Sequence, residues 1–210
     1  MILFKSSSRS TVVPEQEEDH SGTDDHGDWT SLTVWRKSLL FSCKGFTVID
    51  SNGHLVFRVD NYAGRTQDAT LMDGAGHPIL TIRRRKKLRL VDNWLVYEGE
   101  AGGHGCSTKK PICCMRRRVN ILQPSDGAVA RVYHGPPEKR QAYVIEGSYS
   151  LRCCRVVDES RRRVVAEIKR KEAGKGGVSL GLEVFRLSVR PEINPSFAMA
   201  IVMLLDQMYS

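Results

Sequence analysis

Nine consecutive apolar residues, Phe197 through Leu205, follow Asn194-Pro195-Ser196 near the C-terminus. Asparagine caps helices and proline suits the first helical position, so this spacing predicts a helix over 195–208. At 1.5 Å per residue it spans ~21 Å, short of the ~30 Å of a bilayer core, so it cannot cross a membrane. A helix that is apolar all round has no face to give to water and must be enclosed by the rest of the chain.

The rest of the chain reads as β-structure. Short runs of Val, Ile, Leu and Tyr alternate with polar residues and break at Gly, Asp, Asn and Ser. They predict about twelve strands, near 31–36, 45–50, 54–60, 68–73, 77–84, 87–98, 111–120, 127–133, 141–146, 149–157, 163–170 and 181–190. Four hairpins stand out: Val48 to Gly53 before Leu55, Leu71 to Gly76 before Ile79, Ile121 to Gly127 before Ala128, and Val156 to Arg161 before Val164. Their Asp, Asn and Gly residues supply the turn geometry that hairpins need. Only strands are available to bury the terminal helix, and a barrel of about twelve strands is wide enough to need filling. The expected fold is mainly β: a closed, roughly twelve-stranded antiparallel barrel around a buried hydrophobic C-terminal helix.

Charge divides the chain in two. The net charge is +8, yet residues 1–29 carry two basic against seven acidic residues, which leaves +13 for residues 30–210. The expectation is a disordered acidic tail over 1–29 and a basic barrel domain over 30–210. A basic body suggests an anionic partner, while the bland alternative is solubility alone. Met1 to Phe4 hold too few apolar residues for a signal-peptide core, and Ile2 excludes N-myristoylation. The one Asn-x-Ser match, at Asn194, is blocked by Pro195. Six cysteines, Cys43, Cys106, Cys113, Cys114, Cys153 and Cys154, make a poor disulfide framework and read as free thiols. These features point to an intracellular protein, cytoplasmic or nuclear, with peripheral contact at the plasma membrane as a further option.

Particular residues carry a family likeness. They are Leu32-Thr33-Val34-Trp35-Arg36-Lys37-Ser38, Gly45-Phe46-Thr47-Val48 with Asp50, and Gly53 through Tyr62. The likeness continues through Leu71-Met72-Asp73 and Gly76 through Arg84, and closes on Phe197 to Val202 with Asp206. On these the chain resembles the plant LURP-one-related family, which belongs with the tubby C-terminal and phospholipid scramblase-like folds. The resemblance covers about 30–209 and implies a twelve-stranded barrel around a central C-terminal helix. It also implies a plant source and a link to pathogen defence, and brings no enzymatic activity with it.

Catalytic signatures are missing from the sequence: no Gly-x-Ser-x-Gly, His-Glu-x-x-His or phosphate-binding loop occurs. Gly174-Lys175-Gly176-Gly177 has Ser179 where a dinucleotide loop needs glycine. The expectation is a non-enzymatic protein without cofactor. His104, Cys106, Cys113 and Cys114 lie close together, but adjacent Cys113 and Cys114 point to opposite faces of a strand, which argues against zinc. The pair Cys153-Cys154 reads likewise, so no metal is expected. One thiol of each pair should face the core.

The strongest functional feature is four basic clusters. They are Arg83, Arg84, Arg85, Lys86 and Lys87 with Arg89; Arg116, Arg117 and Arg118; Arg161, Arg162 and Arg163; and Lys169, Arg170 and Lys171 with Lys175. Arg forks and Lys point charges bind phosphate oxygens, which makes these residues candidates for an anionic ligand. Edge protection of strands and solvated turns would use the same residues. Tubby domains bind phosphoinositide headgroups through surface Lys and Arg, and the resemblance implies such a role here. Anionic phospholipid headgroups are therefore the leading partner. A protein partner, a nucleic acid and a scramblase-like lipid activity are the alternatives. Nucleic acid is disfavoured by the lack of clustered exposed aromatics, and scrambling by the lack of a carboxylate-rich calcium loop.

Overall fold

Every strand contributes two or more side chains to one interior, and the chain reverses at each step, so the sheet closes on itself. The structure, a computed structural model, describes residues 29–41, 43–62, 68–87, 91–100, 110–117, 128–134, 141–171 and 181–209. The expectations for residues 1–28, Arg89, His104, Cys106, Arg118, the 121–127 turn and the 174–177 loop with Lys175 lie outside the described residues. The strands are β1 (Thr30–Trp35), β2 (Cys43–Ile49), β3 (Leu55–Tyr62), β4 (Asp68–Asp73), β5 (Pro78–Lys87), β6 (Val91–Glu98), β7 (Cys113–Arg117), β8 (Ala128–His134), β9 (Gln141–Ser148), β10 (Cys153–Asp158), β11 (Arg163–Arg170) and β12 (Val184–Val189). One helix, α1 (Pro195–Tyr209), follows. Each strand pairs antiparallel with its sequence neighbours, and β1 pairs with β12 to close the barrel. An even number of alternating strands is what lets the last pair be antiparallel too, and closure removes both sheet edges.

Alternation of side chains builds the core. Leu32 and Val34 of β1, Phe46 and Val48 of β2, Leu80 and Ile82 of β5, and Phe185 and Leu187 of β12 are all buried inside. They surround α1, where Ala198 through Leu205 are buried without a break. Asn194 caps the helix: its side-chain oxygen accepts from the Ser196 amide at 2.9 Å, and its carbonyl accepts from the Ala198 amide at 3.0 Å. The helix expected over 195–208 thus runs one residue further.

Three hairpin turns use one device. The Asp50 carboxylate accepts from the amides of Asn52 and His54, both at 2.8 Å. Asp73 accepts from the His77 amide at 2.8 Å, and Asp158 from the Ser160 and Arg161 amides at 2.8 and 3.1 Å. Hydrogen-bond donation holds these carboxyls below their ordinary range, led by the His54 amide for Asp50, the His77 amide for Asp73 and the Ser160 hydroxyl for Asp158.

Strand boundaries shift by a few residues from expectation: those expected over 45–50 and 181–190 are Cys43–Ile49 and Val184–Val189. The strands expected over 141–146 and 149–157 are Gln141–Ser148 and Cys153–Asp158, so the turn between them lies at Tyr149 to Arg152, closed by the Arg152 amide on the Tyr149 carbonyl at 3.0 Å. Gly147, at φ +99°, lies within the strand, and a Cβ there would sit 2.2 Å from the Cys153 carbonyl oxygen. That glycine permits a close backbone approach and is not a turn residue.

Candidate anion-binding rim

Antiparallel order gives the barrel two unlike rims. Odd strands end and even strands begin at one of them, and α1 enters from the other, after β12. The C-terminal end of α1 therefore emerges at the rim where β1, β5, β7 and β11 finish. Contacts at the helix end agree. Arg36, just past β1, donates to the Asp206 carboxylate at 2.7 Å, and the Tyr209 hydroxyl donates to the Val129 carbonyl at the start of β8, at 3.1 Å. We call this the exit rim and the opposite one the entry rim.

The exit rim collects three of the four basic clusters: the ends of β5, β7 and β11 carry Arg83 to Lys87, Arg116 and Arg117, and Lys169 to Lys171. The fourth, Arg161 to Arg163, lies on the entry rim in the β10–β11 turn. The clusters thus do not form one site. Only β6 separates the first from the second, whereas Lys169 to Lys171 lie across the barrel mouth from β5.

Strand alternation then divides each cluster. Arg84 is on the face of Ile82 and stacks on buried Trp94 at 5.5 Å. Arg117 stacks on the Tyr209 ring at 4.8 Å, closing over the end of α1. Arg83 makes a two-pronged ion pair with Asp68, Nε at 2.9 Å and Nη2 at 2.7 Å, so its charge is balanced inside the fold. Lys169 pairs with Glu167 at 2.6 Å, and Arg163 with Glu192 at 3.0 Å. Lys171 donates to the Thr33 hydroxyl at 3.0 Å. Arg85 and Arg170 on the exit rim and Arg161 and Arg162 on the entry rim are exposed, and Lys86 and Lys87 continue β5 after Arg85.

Register across the outer face adds a residue that sequence reasoning missed. Arg85 lies opposite Asn93, Asn93 opposite Arg116, and Arg116 opposite Arg131. Three arginines on one cross-strand row, with neighbouring strands ~4.8 Å apart, fall within reach of one polyanion. Arg131 stands alone between apolar residues in β8, and without the pairing register nothing in the sequence joins it to Arg85 or Arg116.

Two more missed groups sit at the same rim. Asp206 accepts from Arg36 and, at 3.2 Å, from the buried Tyr149 hydroxyl. Burial, reinforced by the Asp206 carboxylate, pushes the Tyr149 hydroxyl well above its ordinary range, so it stays protonated and donates. A cleft of about 430 Å³ lies beside this network, lined among others by Arg36, Lys37, Lys44 and Asp206.

Among the described residues Cys43, Cys113, Cys153 and Cys154 are free thiols. Cys113 and Cys154 face the core, as the alternation requires, and Cys153 is exposed; Cys114, on the outer face, is buried as well. No group of three metal-ligating side chains occurs among the described residues.

A family model described as LURP-one-related matches residues 30–206. The chain belongs to the LURP-one-related family. Its relatives include Protein LURP-one-related 17 of Arabidopsis thaliana, 47% identical over 188 residues, covering 88% of this chain and 85% of the relative. Protein LURP-one-related 8 of the same plant is 48% identical over 180 residues, covering 85% and 86%. The fold is also that of an X-ray structure of an Arabidopsis thaliana protein, with a TM-score of 0.60 at 23% identity over 87% of this chain and 92% of that one. The LURP-one-related domain expected from the sequence, and its closed barrel with one C-terminal helix, are both present.

Proposed function

We propose that this LURP-one-related barrel is a non-enzymatic module that binds anionic phospholipid headgroups with its exit rim, as a peripheral protein on the cytoplasmic face of a membrane. The observation that carries the reading is the gathering of three basic clusters at one end of the barrel, with Arg85, Arg116 and Arg131 on one row. The perturbed groups elsewhere serve structure: Asp50, Asp73 and Asp158 hold turns, and Tyr149 packs against Asp206 and Arg152. No helix of the described residues is long and apolar enough to cross a membrane, so attachment would run through the rim. Surface cations near an anionic membrane contribute ~1 kcal/mol each, so four of them support a reversible attachment.

Reversing exposed charges is the test. Arg84 is unsuitable because it stacks on buried Trp94, whereas Arg85→Glu with Arg170→Glu changes only exposed residues. Four charge units at ~1 kcal/mol each weaken binding by ~10³-fold, near the limit of a flotation assay with phosphatidylserine vesicles. Arg161→Glu with Arg162→Glu, on the entry rim, should leave flotation unchanged. Equal loss from both pairs, or equal capture by neutral phosphatidylcholine vesicles, would refute a rim-specific electrostatic site. Stronger binding to DNA than to vesicles at matched salt would reassign the rim to nucleic acid.

A further inference from the structure

Large apolar side chains in water are distributed on this barrel as unevenly as charge. Among the described residues, seven are exposed: Trp35, Leu39, Leu40, Phe41, Ile112, Leu151 and Leu182. Six of them lie at the exit rim, and Ile112, before β7, is the exception. The six come from the end of β1 and from three successive connections around that rim. Leu39, Leu40 and Phe41 belong to the β1–β2 loop, Leu182 to the approach to β12, and Leu151 to the β9–β10 turn. Phe41 is fully exposed at 101%, and Leu151 and Leu39 stand at 63% and 52%.

The β1–β2 loop is held so that its tip projects. Ser38, itself buried, donates its hydroxyl to the Asp60 carboxylate of β3 and accepts from the Leu40 amide at 3.0 Å. The Thr47 hydroxyl donates to the Lys37 carbonyl at 2.8 Å. These bonds fix the base of the loop to the barrel wall. Leu39 to Phe41 project beyond that base, although burying them against the barrel would be favourable. At the loop's foot, Lys37 and Lys44 line the cleft beside Asp206. Apolar tips rimmed by cations match one surface in particular, the interface of an anionic bilayer, where acyl chains take up the apolar groups and headgroups face the lysines.

We infer that the exit rim inserts an apolar crown, Leu39, Leu40 and Phe41 with Leu151 and Leu182, into the acyl-chain boundary of an anionic membrane. The inference rests on the headgroup reading above and deepens it: charge brings the rim to the bilayer, and the crown seats it there. Insertion adds a contribution that salt does not screen, so part of the binding persists at high ionic strength.

The experiment uses the full chain and phosphatidylcholine vesicles containing about one-fifth phosphatidylserine. F41W should show fluorescence quenched by brominated acyl chains, well beyond the wild-type signal of Trp29, Trp35 and Trp94. Leu39→Ser with Phe41→Ser, which leaves every charge in place, should weaken binding by about tenfold or more without altering the unfolding transition. Leu151→Ser provides a second variant on a different turn, and Ile112→Ser on the opposite rim should bind as wild type. Unchanged affinity of the serine variants and no added quenching in F41W, while wild type binds the vesicles, would overturn insertion and leave the electrostatic reading standing. Failure of the wild type to bind these vesicles would overturn both. A wild type that self-associates through the loop, abolished by Leu39→Ser with Phe41→Ser and without F41W quenching, would make the crown a protein interface and overturn the proposal.

Discussion

Ile201 is where the helix-in-barrel arrangement can be weighed most directly. It is 1% exposed and lies in the middle of α1, ringed by strands joined to one another by hydrogen bonds. Ile201→Ala removes about three methylene equivalents, which at ~0.8 kcal/mol each is ~2.4 kcal/mol of lost burial. A void of roughly 60 Å³ adds ~1.5 kcal/mol at ~24 cal/mol per Å³. The closed barrel cannot collapse into the space without breaking strand pairs, so the cavity contribution should be fully felt. The expected loss is about 4 kcal/mol, a large share of the ~5–15 kcal/mol that holds a typical domain together. Urea unfolding followed by circular dichroism and by Trp94 fluorescence should show the midpoint fall with the slope unchanged. Leu151→Ala, at a position 63% exposed, should cost under ~0.5 kcal/mol in the same assay. A loss below ~1 kcal/mol at Ile201 with an unchanged slope would mean that the helix does not fill the barrel as described.

Other outcomes follow from single contacts. A Cβ on Gly45 would stand 1.7 Å from the Val59 carbonyl oxygen, so Gly45→Ala should lower the melting temperature far more than Gly53→Ala, where φ is +86° but nothing lies within 4 Å; similar shifts would refute the close approach. Burial raises the Cys113 and Cys154 thiols to about 12, so native-state alkylation at pH 8 read by mass spectrometry should label exposed Cys153 and spare both. Equal labelling rates would contradict the burial of that pair. The carboxyls of Asp50, Asp73 and Asp158 titrate below their unfolded values, so the stability they contribute is present above pH ~4 and is lost as pH falls through their lowered folded values. Melting temperature should therefore fall below pH ~4, and Asp50→Asn with Asp73→Asn should flatten that slope; an unaltered slope would remove these turns from the account.

Much of this architecture was legible before any coordinates. The run from Phe197 to Leu205 demanded an enclosure, and period-two alternation supplied the strands to build it. Asp50, Asp73 and Asp158 announced their turns because an aspartate followed by Asn, Gly or Ser meets its own backbone within four residues. These signals are local: they depend on neighbours a few positions away, where the covalent chain already sets the geometry. The role of Gly147 is not local in this way, since glycine serves turns and close approaches alike, and only the position of Cys153 tells them apart.

The site was less legible because it depends on strand parity and on partners distant in the chain. The four basic clusters look equivalent as text, yet one strand counted more or fewer would have moved any of them to the opposite rim. Arg83 reads as a ligand-binding cation until Asp68, fifteen positions away, is found opposite it on β4. Arg131 joins Arg85 and Arg116 only through the register of three strand pairs. Leu39, Leu40 and Phe41 could as easily have been core, since hydrophobicity alone does not say which way a loop points. That was decided by the bonds of Ser38 and Thr47 to the barrel wall, which hold the loop's base and leave its tip outside. Sequence determined which segments form strands and helix because propensity and periodicity act over a few residues. Tertiary structure alone decided which charges remain available and which apolar groups face outward, because closing the barrel brings together residues from all along the chain.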